Sequence, residues 1–319
     1  MAKKTKIFIA LLPVVVLIAL LVFYLHSHPV AVLSPVGEIS RKQRNLFVFA
    51  LALSAIVVLP VFFLTIWIAV KYREGNKKAK YTPDWDRSKL FESIWWGVPM
   101  AIILVLSIVT WNSSHSLDPY KPIASSNKTM TVEVVSLDWK WLFIYPSQDV
   151  ASVNQVEMPV NTPVRFVLTS DTVMNSFWVP RLGGQIYAMP GMTTQLNLIA
   201  DKTGSYYGSS ANISGAGFAG MNFKAVAVSK TDFNGWLANV KSSPKLLDQT
   251  SYPTLAKPSS YEPVSYYSEV DEGLFGDIVN GYMQPAGSSP DTNMNMTSSG
   301  SSSMGSSSNM KNMNMEMGN

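Results

Sequence analysis

Three stretches of the chain are apolar with no charged residue inside them: 7–24 (IFIALLPVVVLIALLVFY), 46–70 (LFVFALALSAIVVLPVFFLTIWIAV) and 94–111 (IWWGVPMAIILVLSIVTW). Each is close to or above the ~18 residues that suggest a bilayer crossing, so the first third of the chain predicts two or three transmembrane helices. Between the second and third runs lies KYREGNKKAKYTPDWDRSKLFES, which carries Lys71, Arg73, Lys77, Lys78, Lys80, Arg87 and Lys89. The positive-inside bias puts this loop in the cytoplasm and brings Asn112 out on the opposite face. The first run follows Lys3, Lys4 and Lys6 and reads either as an export signal or as a retained helix; both leave residues 30–45 outside. Its length, and the lack of a small-residue cleavage site in LHSHPVAVLSP, favour retention.

Past the third run the pattern changes to a period of two. In LDWKWLFIY, Leu137, Trp139, Trp141, Phe143 and Tyr145 fall on one face of a single expected strand, with Asp138 and Lys140 on the other. Similar short strands are expected at PVRFVLT, TQLNLI and FKAVAV, separated by Asn, Gly and Pro turns, which predicts a β-sandwich or barrel over about 128–229. From about 231 to 283 the chain is richer in helix formers and rings, among them Phe233, Trp236, Tyr252, Tyr261, Tyr266, Tyr267, Phe275 and Tyr282, broken by prolines 244, 253, 258 and 263. These rings are expected to pack the segment against its own domain rather than to form a partner surface. From Pro285 the chain is Ser, Gly and Asn with seven methionines between Met294 and Met317, a composition that predicts a disordered tail. Clusters such as MKNMNMEM could hold Cu(I) through thioether sulfur, against the simpler reading of a solvated low-complexity segment.

Composition narrows the chemistry. With no cysteine in the chain, it offers no disulfide, thiolate metal site, iron–sulfur cluster or cysteine nucleophile. The three histidines, His26, His28 and His115, lie at expected membrane boundaries and are not spaced along a helix face, so haem or metal ligation by them is not expected. The net charge of +4 largely reflects the cytoplasmic loop and calls for no nucleic-acid partner. One carboxylate stands out: Glu92 in SKLFESIWWGVP, immediately before the third run. It is either a proton-collecting group at the mouth of a helix bundle or an interfacial acid stabilised by the helix dipole.

Several motifs together carry a resemblance: KYR before the basic loop, WWGVP, DWKWLFIYP, VMNSFWVPRLGGQIYAMPGM and GSYYGSSANISGAGFAGMNFKAVAV. Over roughly 32–283 the chain resembles subunit II of the haem–copper terminal oxidases, and most closely the ubiquinol oxidase branch of bacteria. The resemblance implies a membrane α plus all-β architecture, with a transmembrane helical hairpin and a possible first helix or signal followed by a cupredoxin-like β-sandwich or barrel. The implied divisions are 1–30 (signal or first helix), 31–112 (hairpin, with basic loop 71–91), 113–230 (cupredoxin-like domain), 231–284 (aromatic-rich extension) and 285–319 (tail).

In the cytochrome c oxidase branch, the second long motif holds two cysteines, a histidine and a methionine that bind a binuclear copper centre. The corresponding places here read Ser210, Ser214, Phe218 and Met221; Asn175 stands for a further histidine and Asn212 for a backbone carbonyl ligand. Only Met221 keeps the family's ligand type. A serine hydroxyl is a neutral, hard donor that cannot replace a bridging thiolate, so the resemblance implies a domain that has lost its copper. It thereby implies a redox-inactive subunit II with no cofactor of its own, beside a subunit I carrying haems and one copper, with smaller membrane subunits. The complex would oxidise ubiquinol, or menaquinol, in the bilayer, reduce oxygen and pump protons, with no cytochrome c. The resemblance also implies an inner-membrane, multi-pass chain with its C-terminal domain in the periplasm, and puts Glu92 at the entrance of a proton pathway. The competing reading is a membrane-anchored Cu(I)-handling or assembly protein that uses the methionine tail. An electron-transfer subunit with an unconventional copper site is a third, opposed by Asn175, Ser210, Ser214 and Phe218.

Overall fold

The computed structural model describes residues 30–283, apart from 77, 78, 80, 81 and 83–85, together with a few positions between 16 and 27. Most of the first apolar run, His26, His28, Lys77, Lys78, Lys80 and the methionine tail lie outside the described residues.

The second and third apolar runs form helices α1 (Glu38–Lys71) and α2 (Lys89–Ser116), both long and apolar enough to cross a membrane. At ~1.5 Å per residue they are about 50 and 40 Å long, against a hydrocarbon core of ~30 Å, so polar turns extend past the apolar runs. In α1 this extra length is the segment EISRKQRN. Ser40 is the one buried residue of α1, and α2 has none; Leu51, Phe62 and Phe63 on α1 and Met100, Leu104 and Trp111 on α2 are all exposed. Helices apolar all round and bare of cover suit a lipid or protein surround, not water.

The first turn of α1 is sewn to the β domain. Val36 N–H donates to Arg181 O at 2.9 Å, Asp201 N–H to Val36 O at 3.0 Å and Ser40 N–H to Leu182 O at 3.2 Å, while Arg41 pairs with Asp201. Gly37 is required here, because a Cβ would lie 2.2 Å from Ile199 O. Just beyond α2, Pro119 O accepts from Asn197 N–H at 3.1 Å and from Asn197 Nδ2 at 2.9 Å. The β domain therefore sits at the N-terminal end of α1 and the C-terminal end of α2, and the basic loop joins the two opposite ends.

The domain is a two-sheet, cupredoxin-like sandwich. One sheet runs in the order β11 (Ser265–Tyr267), β3 (Val150–Val153), β2 (Lys140–Tyr145), β1 (Met130–Leu137), β5 (Val164–Ser170) and β8 (Thr194–Leu198). The other runs β4 (Gln155–Pro159), β10 (Asn222–Val228), β9 (Gly204–Ser210), β6 (Asn175–Trp178) and β7 (Ile186–Ala188). The pairs β1/β5 and β4/β10 are parallel, and the other neighbours are antiparallel. Rings fill the space between the sheets: Phe177 stacks on Phe223 at 5.0 Å, and Trp141 meets both edge-on at 5.5 and 5.9 Å. Helix α3 (Lys230–Lys241) closes one end with Phe233 and Trp236.

The single strand expected across LDWKWLFIY is instead a hairpin. β1 ends at Leu137, Asp138 and Trp139 make the turn, and Leu137 pairs with Lys140 at the start of β2. Trp139 has φ 63°, a left-handed conformation that disfavours a bulky side chain, so the turn reverses the chain where a period-two pattern continues on paper. Trp141, Phe143 and Tyr145 do share the face toward the inter-sheet core, while Leu137 belongs to a second cluster on the far side of the sheet. Lys140 is not on an open polar face either: all six residues of β2 are buried.

The far side of that sheet is covered by the aromatic-rich segment. Leu142, Ile144, Ala151 and Val153 pack with Leu247, Val270, Leu274, Phe275, Ile278 and Val279, the last four from helix α5 (Leu274–Gly281). Short helix α4 (Tyr252–Ala256) lies alongside. A strand covered on both faces reads as continuous apolar sequence, which is what WLFIY provides.

Candidate functional site

Asn175 opens β6, Ser210 ends β9, and Met221 lies just before β10, so adjacent strands of one sheet bring these positions to one corner of the sandwich. All three are buried. Ser210 Oγ donates to Asn175 Oδ1 at 3.1 Å and also lies 3.0 Å from Asn212 O; Asn212 N–H approaches the same Oγ at 3.4 Å. Asn175 Nδ2 donates to Val173 O at 3.2 Å, and Asn212 Nδ2 to Met174 O at 2.8 Å. Ser214 Oγ–H faces Met221 Sδ at 3.8 Å. Phe218 starts a single 3₁₀ turn ending at Gly220, in the loop between Ser214 and Met221. Asn175, Ser210 and Asn212 thus share one hydrogen-bond network, Ser214 faces Met221, and Phe218 lies on the intervening turn.

That donor set does not fit a binuclear copper centre. It presents two neutral hydroxyls, two carboxamides, a phenyl ring and one thioether, where thiolates and imidazoles are required. Each serine and asparagine side chain already has a protein partner, so the corner is chemically complete as an amide–hydroxyl staple between the 171–175 loop and the 210–221 loop. Among the described residues, no group of three or more His, Cys, Asp or Glu side chains could hold a metal ion. His115, exposed near the end of α2, is turned back on its own helix: Nδ1 is 2.8 Å from Trp111 O and its ring lies 4.6 Å from the Trp111 ring.

Three features of this region were not legible from the sequence. Trp139 reaches across from the β1–β2 turn: its Nε1–H donates to Ser214 O at 3.2 Å, and a Cβ on Gly217 would lie 2.2 Å from its ring. The strained Trp139 backbone is therefore held by the glycine loop it packs on. Second, Asp171 receives two tyrosines of the aromatic-rich segment, Tyr252 Oη–H to its carboxylate at 2.5 Å and Tyr282 Oη–H to its backbone carbonyl at 2.7 Å. Burial, and next the adjacent Asp171, push the Tyr252 phenol far above its ordinary range and the Tyr282 phenol to about 12, so both remain donors at neutral pH. Third, Lys140 Nζ–H donates to Lys257 O at 2.7 Å and Ser259 Oγ at 2.6 Å, and Ser259 Oγ–H to Glu262 at 2.7 Å. Burial pulls the Lys140 ammonium down, opposed by Glu262 and Asp138. The local signals were an Asp at the turn position and repeated Tyr, neither of which names its partner.

Glu92 lies in the first turn of α2, whose N-cap Ser88 accepts from Phe91 N–H at 3.5 Å. It lines a shallow groove of about 310 Å³ with Asp86, Arg87, Ser88, Phe91, Trp95 and Trp96. This groove sits at the basic-loop end of the helices, remote from the copper-loop corner.

Residues 147–228 match the family model described as cytochrome c oxidase subunit II, periplasmic domain, and residues 241–286 match the COX aromatic rich motif. The chain is 53% identical over 250 residues to the cytochrome bo(3) ubiquinol oxidase subunit 2 of Pseudomonas putida, covering 78% of this chain and 80% of that one. It is 49% identical over 249 residues to the protein of the same name from Pseudomonas aeruginosa, covering 78% and 75%. It is also 49% identical over 253 residues to ubiquinol oxidase subunit 2 of Acetobacter aceti, covering 79% and 82%. Identity of this extent over most of the chain means that it belongs to the family of bacterial ubiquinol oxidase subunit 2.

Proposed function

We propose that this chain is the non-catalytic subunit II of a proton-pumping ubiquinol:oxygen oxidoreductase of an aerobic respiratory chain. The observation that carries the reading is the 53% identity over four-fifths of a ubiquinol oxidase subunit 2, joined to a copper-loop corner filled by Asn175, Ser210, Ser214 and Phe218. A donor that reacts within the bilayer needs no electron entry point on the exported domain, and the copper-loop corner offers none.

In this reading residues 31–112 clamp the haem–copper subunit I through the bare faces of α1 and α2, and residues 113–230 cap it on the periplasmic side. Subunit I supplies the haems and one copper, and smaller membrane subunits complete the assembly. The chain spans the bacterial inner membrane more than once. The basic loop and the sandwich lie at opposite ends of the helix pair, which supports a cytoplasmic loop and a periplasmic domain. Glu92, at the cytoplasmic mouth of α2, collects protons for the pathway into subunit I; this chain moves no electrons.

The test is a donor comparison on the purified complex. Oxygen uptake with ubiquinol and none with reduced cytochrome c is the expected result. Uptake driven by cytochrome c would require an electron entry site that these loops do not provide, and would overturn the reading.

A further inference from the structure

The sandwich end of α1 carries a positive charge with no counter-charge beside it. Lys and Arg are scarce on the outer face of a bilayer protein, yet the first two turns of α1 hold Arg41, Lys42 and Arg44. Arg41 pairs with Asp201 of the sandwich, and Lys42 Nζ lies 2.6 Å from Glu38 Oε1 on its own helix. Arg44 has no carboxylate partner among the described residues. Its Nε–H and one Nη2–H donate to the neutral carboxamide oxygen of Asn45 at 3.4 and 3.0 Å, and both Nη1 donors are without a protein acceptor among the described residues.

Depth singles out the same residue. Residue 58 is the middle of the 46–70 apolar run, and Arg44 is 14 residues before it (58 − 44), which at ~1.5 Å per residue is about 21 Å. From the midplane of a bilayer to its surface, headgroups included, is about 20–22 Å. Arg44 therefore reaches the phosphate layer, and its aliphatic stem lets the guanidinium adjust its height. Below it on the same helix face, at i+3, i+4 and i+7, stand Phe47, Val48 and Leu51, which are 51%, 49% and 59% exposed. A cation at headgroup depth above a bare apolar track complements a phospholipid in charge and in layering, with the phosphodiester above and the acyl chains below.

We propose that Arg44 holds the phosphodiester of an outer-leaflet phospholipid whose acyl chains lie along Phe47, Val48 and Leu51. The guanidinium offers a planar fork of donors that matches two phosphate oxygens, and no covalent bond is made or broken. The first turn of α1 is bonded to Arg181, Leu182 and Asp201, so a lipid held at Arg44 also fixes the height of the sandwich over the membrane. The proposal rests on the reading that α1 spans the bilayer with its N-terminal end outward.

The experiment uses the full chain, tagged and extracted in mild detergent, with native mass spectrometry counting retained lipid as phosphatidylglycerol is titrated in. The expected result is one tightly held lipid per chain, weakened at least tenfold in Arg44→Gln. Arg44→Lys, which keeps the charge and loses the fork, should fall between the two, and Lys42→Gln, on the opposite side of the helix, should match the unsubstituted chain. Three results overturn the proposal: no lipid held by the unsubstituted chain, equal retention by Arg44→Gln, or displacement of the lipid by millimolar inorganic phosphate, which would make this a simple anion site. Arg44→Gln that keeps its lipid and loses co-purifying haem would also overturn it, by assigning the guanidinium to an acidic group of a partner subunit. Orientation is read separately by labelling Lys42→Cys, in a chain with no other cysteine, with a membrane-impermeant maleimide on spheroplasts. Labelling is expected. Its absence overturns the outward orientation and the outer-leaflet site with it, whereas labelling without lipid retention overturns the lipid site alone.

Discussion

Removing the Tyr252 hydroxyl should loosen the 171–175 loop far more than removing that of Tyr282, although both end on Asp171. Tyr252 Oη–H donates to the carboxylate at 2.5 Å, whereas Tyr282 Oη–H donates to the neutral backbone carbonyl at 2.7 Å. A hydrogen bond to a charged acceptor contributes about 1.5–3 kcal/mol and one between neutral groups about 0.5–1.5 kcal/mol. Tyr252→Phe is therefore expected to raise the opening equilibrium of the loop by about 10- to 150-fold, and Tyr282→Phe by about 2- to 12-fold. Hydrogen exchange at the backbone amides around Asp171–Asn175 reads this directly, because local opening, and not global unfolding, is what the bond resists. Asp171→Ala combined with Tyr252→Phe should cost little more than either change alone, since each removes the same hydrogen bond. Additive effects, or a change below about twofold for Tyr252→Phe, would refute the claim that the aromatic-rich segment staples this loop.

The same structure sets three other expectations. Glu92→Ala should slow turnover and proton delivery while leaving haem content unchanged; unaltered turnover and pumping would remove Glu92 from the mechanism. Gly217→Ala puts a Cβ 2.2 Å from the Trp139 ring and should destabilise the domain by about 1–3 kcal/mol, seen as a lowered Tm, whereas a neutral effect would show that the loop can move aside. The buried Tyr145 phenol, which donates to Glu157 O and accepts from Glu157 N–H, is raised above its ordinary value mainly by burial. Its folded pKa exceeds the unfolded one, so its contribution is complete below about pH 10 and falls above that by about 1.4 kcal/mol per pH unit. Tyr145→Phe should flatten the alkaline limb of the stability curve, and an unchanged limb would contradict the assignment.

Much of the architecture was legible because the relevant forces are local. Uncharged apolar runs of span length gave α1 and α2, and β-branched alternation gave β5, β8 and β10 within a residue or two. The helices outran their apolar runs because EISRKQRN continues the turn out of the bilayer and meets Arg181, Leu182 and Asp201, partners far along the chain. The hairpin at Asp138–Trp139 was hidden for a related reason. Alternation in LDWKWLFIY is intact, and what makes the left-handed Trp139 tolerable is Gly217 and Ser214, on a loop whose proximity only the fold creates. Lys140 illustrates the same limit: its residue type suggests solvent, and the acceptors that permit burial lie on the extension at Lys257 and Ser259. The copper-loop positions could be named from the motif, but the Ser210–Asn175 and Asn212–Met174 bonds that knit them together could not.

The chain is thus assigned to a haem–copper ubiquinol oxidase as its subunit 2. The most direct test of that assignment is to tag the chain, extract it in mild detergent and record the reduced-minus-oxidised haem spectrum of what co-purifies. Haem in fixed proportion to the tagged chain is the predicted result, and a haem-free preparation under conditions that keep membrane complexes intact would contradict it.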